Sequence, residues 1–431
     1  MARILVASMP FAGHAGVLAA ITAELSGRGH DVVAYTGAKY RERFSAEWLP
    51  FTAVADFDDA NLADAFPRIG NGKGFRSDRA NMEDVLFGTA AGQLADLLAA
   101  AHRRPFDVLV TDQLAFGAAV AGEALGIPWV TVSVSPLTMT SRDLPPVFLP
   151  LAAAGGRWGR TRNAALRPIG GLVYRRMVDP MVNQLRSTAG LRPAPPGRLF
   201  DGLYSPHLVL AQGVPGLDYP RGDLPPYVYY VGRLVPAAAP DAELPGWWAD
   251  VVAARAAGRP VVHVTQGTLD VDPADLLRPA LSALAGEPVL VVCTTGGAPP
   301  SVLEPLPANA RAASFVPHEA LMPVVDAVVT NGGWGGVLAA VNAGVPLVVA
   351  PGGLDKPEVA RRVAWSGAGR NLRRRKPRPS RIRSAVREVV IRPGYRRRAA
   401  ELAEALDAAG GARRAATLVE DLLTARPPSS G

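Results

Sequence analysis

Short runs of β-branched and other apolar residues alternate along the chain with alanine- and leucine-rich stretches whose apolar positions recur at helical spacing. The first kind reads as buried strands and the second as helices, a pattern that predicts βαβ units around parallel sheets. In the first half the expected strands are Ile4–Ala7, Asp31–Tyr35, Val108–Thr111 and Trp129–Val132, with a helix from about Gly16 to Arg28 that ends at Gly29, a natural C-cap position. The second half repeats the plan with Val261–Val264, Val289–Val292, Ala327–Thr330 and Pro346–Val349. Each set suits its own doubly wound sheet, and no sequence repeat links the halves. Between them Gly213–Pro245 is dense in proline and glycine, a linker composition, with the boundary near Val231–Arg233. The expected domains are therefore residues 1–230, with a helical insertion at about 140–200, and residues 231–394. A C-terminal pair of helices in 395–431 is expected to pack back toward the N-terminal domain.

Composition supports two cores and removes several classes of protein. At 431 residues the chain is long for one core, and 48% hydrophobic against 19% charged residues excludes disorder. The N-terminal stretch Met1–Ala7 lacks the long apolar region of a signal peptide, and no apolar run is long enough to span a membrane, so a cytoplasmic protein is expected. The single cysteine, Cys293, excludes an internal disulfide and a cysteine-based zinc site. Much of the net charge of +8 lies between Arg361 and Arg398, around Arg373-Arg374-Arg375-Lys376. Few aromatics interleave there for base stacking, so it reads as a solvated basic surface and no nucleic-acid partner is expected. Weak contact with an anionic membrane surface would suit the same stretch. Oligomeric state is not legible.

Strand ends carry the chemistry. The first strand runs into Met9-Pro10-Phe11-Ala12-Gly13-His14, and ligands of open α/β sheets bind beyond the carboxyl ends of strands. His14 is the candidate general base, because imidazole titrates near neutrality and the positive end of a helix favours its neutral form. Asp112, at the end of the strand Val108–Thr111, is the candidate partner that orients the ring; its alternative role is an N-cap for the helix at Leu114. Phe11 and Gly13 flank the base. With Pro136, Met139 and Phe148 they form the expected acceptor wall. In the second half Thr330-Asn331-Gly332-Gly333-Trp334-Gly335-Gly336 is a strand, a glycine-rich turn and a helix start, where main-chain amides can hold a diphosphate. It is neither a P-loop nor a dinucleotide fingerprint. Asp270-Val271-Asp272 spells a metal-binding DxD, but the following Pro273 and a helix expected to run to Leu284 make Asp272 an N-cap, and no metal is expected.

The run Asn331–Pro346, followed by Asp355-Lys356-Pro357 and Gly367-Ala368-Gly369, resembles glycosyltransferase family 1, and is most similar to its actinobacterial natural-product branch. The resemblance extends over nearly the whole chain, through the Phe11–His14 start and Thr111–Gly117. It implies the GT-B fold, two Rossmann-like domains facing across a cleft that closes on the substrates, and no cofactor beyond a nucleotide diphosphate sugar as co-substrate. It also implies roles. His14 matches the catalytic base and Asp112 its acid partner. Phe315 falls where an aromatic stacks on the nucleobase, Val316 where backbone bonds that base, and His318 near the ribose. Asn331, Gly332 and Gly333 match the diphosphate turn, Gly267 and Thr268 a second phosphate loop, and Asp355 and Lys356 the Asp–Gln pair that holds sugar hydroxyls.

Three positions depart from the family. Asn331 stands where histidine is usual, Ala339 where a glutamate grips the ribose, and Lys356 where glutamine contacts the sugar. The implied reaction is inverting transfer of a sugar or deoxysugar from a TDP- or UDP-sugar to a hydroxyl of a small, largely apolar aglycone. Two alternatives remain at this level. One is a nucleotide-sugar epimerase, which would need no apolar insertion such as Leu144–Val182. The other is a non-catalytic sugar-nucleotide helper, which would not need both His14 and Asp112.

Overall fold

The computed structural model describes residues 1–70, 75–146, 151, 153, 156–196, 199–235, 243–268 and 272–425. The chain divides into two compact units. The first comprises Met1–Gln212, Tyr219–Pro236 and Ala409–Gly431; the second comprises Gly213–Asp218 and Ala237–Ala408. Among the described residues no helix is long and apolar enough to cross a membrane.

The first unit is built on seven parallel strands: β1 (Arg3–Ala7), β2 (Asp31–Tyr35), β3 (Glu47–Leu49), β4 (Val108–Asp112), β5 (Trp129–Ser133), β6 (Leu208–Ala211) and β7 (Val228–Tyr230). Their order is β3-β2-β1-β4-β5-β6-β7, with Ile4 opposite both Val32 and Val108. Both faces are covered, which is why the strand sequences are apolar runs rather than alternating ones. Leu5, Val33 and Leu109 point to one core with Leu94, Phe116 and Leu185, while Ile4, Val6 and Val110 point to another with Leu18, Ile21, Leu418 and Val419. The second unit holds six parallel strands: β8 (Val261–Thr265), β9 (Leu290–Thr294), β10 (Ala310–Ala313), β11 (Ala327–Thr330), β12 (Leu347–Val349) and β13 (Gly369–Asn371). They run in the order β10-β9-β8-β11-β12-β13. Val262, Val264, Val329 and Val348 form its core with Leu281, Ile382 and Val386.

Several elements differ from the sequence reading. β7 lies inside the proline-rich stretch read as linker and closes the edge of the first sheet, while Gly213–Asp218 belongs to the second unit. The buried pair Arg362 Nε–Asp218 Oδ1, at 2.7 Å, ties that short segment down. Of the C-terminal helices, Pro393–Ala408 stays with the second unit and only Gly411–Thr424 joins the first. There Arg28 Nη1 meets Glu420 at 2.6 Å and His30 Nε2 meets it at 3.1 Å. The helix expected from Pro273 begins at Leu277 instead. Its capping group is Gln266 Oε1, which accepts from the amides of Leu276 and Leu277 at 3.0 and 2.9 Å, whereas Asp272 Oδ1 only closes a turn onto the Ala274 amide.

The basic stretch is largely paired with the chain's own carboxylates. Arg361 and Arg362 meet Glu358, Arg375 and Lys376 meet Asp275, Arg383 and Arg387 meet Glu287, and Arg396 meets Asp326.

Candidate active site

In the first unit the helix that follows β1 starts at Ala12, one turn earlier than its apolar periodicity suggests, because Gly13 and Gly16 break the periodicity without breaking the helix. His14 therefore sits in the first helical turn. Its Nδ1 lies 2.6 Å from Asp112 Oδ2, with the histidine side chain 20% exposed and the aspartate fully buried. Asp112 is the last residue of β4, and its carboxylate is fixed by two amides: Met9 N–H donates to Oδ2 at 3.1 Å and Leu114 N–H to Oδ1 at 2.9 Å. Asp112 thus faces the ring through Oδ2 and closes a turn onto Leu114 through Oδ1; it is not the N-cap of the next helix, which begins at Phe116 with Ala115 as its N-cap residue. A buried carboxylate with both oxygens engaged cannot swing away, so it presents one lone pair to the imidazole and selects its orientation.

Phe11 meets the His14 ring edge-on at 5.3 Å between centroids, and an added Cβ at Gly13 would have no neighbour within 4 Å. Pro136 is buried beyond the end of β5, and Met139 packs with Leu137, Tyr204, Val209 and Val228 in a small core cluster. Phe148 lies outside the described residues. Sequence reasoning missed Gln113, which links β4 to the segment after β5: its Nε2 donates to Ser135 Oγ at 2.5 Å and its Oε1 accepts from Ser133 Oγ.

In the second unit Gly267, Thr268, Asn331, Gly332 and Gly333, all expected donor positions, lie at adjacent strand ends. β8 leads into Gln266-Gly267-Thr268 and β11 into Asn331-Gly332-Gly333, and β8 and β11 are paired. Asn331, 4% exposed, turns inward and its Nδ2 donates to the Gln266 carbonyl, stitching the two loops together. Gly332 has φ +93° and an added Cβ there would lie 3.0 Å from Val349 Cγ1, so the turn needs glycine. The helix Trp334–Asn342 follows, and added Cβ atoms at Gly333, Gly335 and Gly336 would meet nothing within 4 Å. The first-turn amides, which have no partner within the helix, thus emerge with no side-chain cover from these glycines. Gln266 escaped sequence analysis because its capping role spans ten residues.

The remaining donor positions arrange around β9 and β12. Phe315 is 62% exposed with its ring against Gly297, and an added Cβ at the adjoining Gly296 would fall 2.0 Å from the Gly267 carbonyl oxygen, so the loops after β8 and β9 touch through backbone. Val316 is buried and His318 opens a short helix. Asp355 is the N-cap residue of the helix Lys356–Ser366, and Lys356 is buried beneath it. Leu354, immediately before, holds φ +58°, a conformation that costs a non-glycine residue energy and that recurs at ligand sites. Ala339 is buried in mid-helix and presents only a methyl group. Asp270 of the acidic triplet lies outside the described residues; among the described residues no group of three or more histidine, cysteine or acidic side chains is arranged to hold a metal ion.

Residues 280–420 match the family model described as erythromycin biosynthesis protein CIII-like, C-terminal domain. Across 98% of this chain and the full length of the relative, 42% of residues are identical to 4'-demethylrebeccamycin synthase of Lentzea aerocolonigenes. UDP-glycosyltransferase 2 of Phaeomoniella chlamydospora is 31% identical over 98% of this chain and 96% of its own. Among solved structures, a calicheamicin glycosyltransferase superposes with a TM-score of 0.72 at 22% identity, covering 99% of this chain and 100% of the other. The glycosyltransferase VinC, in complex with dTDP, gives 0.69 at 22% identity over 98% and 99%. Those likenesses establish the fold, and the full-length identity establishes the kinship: the chain is a glycosyltransferase of family 1, in the natural-product branch with the GT-B fold.

Proposed function

We propose that this enzyme transfers a sugar, with inversion, from a thymidine or uridine diphosphate donor to a hydroxyl of a small, largely apolar natural-product aglycone. The observation that carries the reading is the short contact between His14 Nδ1 and the doubly anchored Asp112, at the carboxyl ends of β1 and β4. With Nδ1–H donated to Asp112, the other ring nitrogen is the basic one and can take the acceptor's hydroxyl proton; Asp112 then stabilises the imidazolium that forms. The resulting alkoxide-like oxygen attacks the anomeric carbon as its bond to the diphosphate oxygen breaks. Negative charge grows on the leaving diphosphate, where amides at the start of the Trp334 helix and the Gly267–Thr268 loop supply donors.

Asn331 modifies this plan. A neutral amide committed to the Gln266 carbonyl shapes the turn and leaves the leaving group to backbone donors. Ala339 offers no carboxylate to a ribose 2′-hydroxyl, which favours thymidine over uridine diphosphate donors. Phe315 supplies the exposed ring for the base, and Asp355 with Lys356 the sugar contacts. Phe11, Gly13, Pro136, Met139 and Phe148 remain the proposed acceptor contacts, with Phe11 and Gly13 the best supported because they adjoin His14.

Product formation from paired panels of nucleotide sugars and apolar hydroxylated acceptors, followed by mass spectrometry and anomeric coupling constants, tests the reading. A product of inverted anomeric configuration, with the thymidine form bound more tightly than the uridine form, is expected. Retention, transfer only to polar sugars, or a strong preference for uridine diphosphate would each remove the corresponding part.

A further inference from the structure

Two independent links run from one loop of the first unit to the catalytic histidine's helix. The first is apolar: buried Phe57 packs edge-on against Phe11 at 5.8 Å, and Phe11 against the His14 ring at 5.3 Å. The second is polar: Asp59 Oδ2 accepts from the Ala12 amide at 2.7 Å, at the first residue of the helix that carries His14, and the same oxygen accepts from the Tyr40 hydroxyl. Tyr40 is 2% exposed, in the turn after β2, so the carboxylate is held from the protein interior. Burial first, and then the hydrogen bond to Asp59, raise the tyrosine's pKa far above its usual value, so it remains a donor throughout the working range. The helix has no side-chain cap from its own N-cap residue, Phe11. Asp59, 47 positions along the chain, does that work instead.

We propose that Asp59, fixed by Tyr40, is a positioning residue for His14: it caps the helix that carries the base and sets a negative charge against the helix's positive end. This rests on His14 being the base. A carboxylate at a helix N-terminus satisfies an amide that would otherwise lack a partner and offsets the dipole that opposes a protonated imidazole in the first turn. Tyr40 and Asp59 thereby complement Asp112, which acts on the ring from the other sheet position. The surrounding charged groups are Asp112 on β4, Arg43, whose Nη1 reaches the Ala12 carbonyl at 3.4 Å, and the Lys39–Asp58 pair at 2.9 Å. None of these caps Ala12.

The test uses the full-length enzyme with Asp59→Ala, Asp59→Asn, Tyr40→Phe and His14→Gln, each checked for an unchanged circular dichroism spectrum. Asp59→Ala is expected to lower kcat roughly tenfold or more while the donor KM stays within about twofold, as for a loss of positioning. Asp59→Asn keeps an oxygen for the Ala12 amide and removes only the charge, so kcat stays within a few-fold but the acid limb of the pH–rate profile moves down by about half a unit or more. Tyr40→Phe should fall between the two. Parent-like kcat in Asp59→Ala, an acid limb in Asp59→Asn that coincides with the parent's, or a donor KM rising in step with lost turnover would overturn the proposal. Near-parent turnover in His14→Gln would instead remove the reading beneath it, which separates the two failures.

Discussion

Two imidazoles of this molecule, those of His14 and His263, differ in what surrounds each ring. His14 is partly exposed and faces a buried carboxylate with two amide partners. His263, in the middle of β8, is 1% exposed and donates Nδ1–H to the Val292 carbonyl at 3.1 Å. Burial, against the pull of that carbonyl and with a further push from His318, lowers its pKa to about 4. A neutral ring in the fold, with a pKa near 6.5 once unfolded, has a linkage of definite sign. Between those two values the unfolded chain binds more protons, so stability falls as pH falls through that window and is unaffected by this group above it. The expected loss from pH 7 to pH 4 is about 3 kcal/mol from this residue. Denaturant titrations of parent and His263→Asn across that range check it: the variant should show a flatter profile, and parallel profiles would count against the assignment. At this scale the sequence disclosed identities and little of their burial. His263 reads as a strand residue, and nothing in its neighbours announces that the sheet has no room for its charge.

Turns, more than strands or helices, distinguish this chain at the scale of elements. Gly332 has a left-handed φ and its missing Cβ would press on Val349 Cγ1 and the Lys356 carbonyl. Gly332→Ala should therefore distort the bend that orients the helix-start amides, at a cost of about 1–3 kcal/mol. We expect donor diphosphate affinity to fall tenfold or more by calorimetric titration, while acceptor binding stays within twofold. Unchanged donor affinity would mean that the bend does not hold the diphosphate.

The central strands β1, β2, β4, β5, β8, β9, β11 and β12 were legible because they are covered on both faces and so consist largely of apolar runs. β3, β7, β10 and β13 were not. They are edge strands of three or four residues, too short to stand out as buried runs, and Gly369-Arg370-Asn371 has no apolar side chain at all. β6, though buried, is four residues in a stretch that also reads as the approach to a linker. Helix starts were misplaced for a related reason. Asp59 and Gln266 supply capping groups from distant positions, so local sequence gave no sign of the starts at Ala12 and Leu277.

The whole molecule consists of two units with separate cores, and the chain passes between them at Gln212–Gly213, Asp218–Tyr219, Pro236–Ala237 and Ala408–Ala409. Composition pointed to a single boundary in the proline-rich region. It could not show that β7 returns to the first sheet, where Val228 lies opposite Val209 of β6; the C-terminal helices were expected to pack back toward the first unit, and of the two only Gly411–Thr424 does so. The positions of the candidate residues were easier to read. His14, Asp112 and the Asn331 turn occupy the strand ends that their sequence context implied, since strand, short turn and helix is a local pattern. The excess of arginine, expected to form a solvated basic surface, is mostly matched to acids in the second unit.

In the proposed reaction His14 removes the acceptor's proton and the Asn331 end of the second sheet binds the donor. Single-turnover transfer by His14→Ala, measured beside its donor dissociation constant, separates the two directly. A fall of roughly 10²- to 10⁴-fold in rate is predicted, the range for loss of a general base, with the donor constant within about twofold of the parent. Turnover close to the parent's, or a donor constant that weakens as much as the rate, would contradict the account.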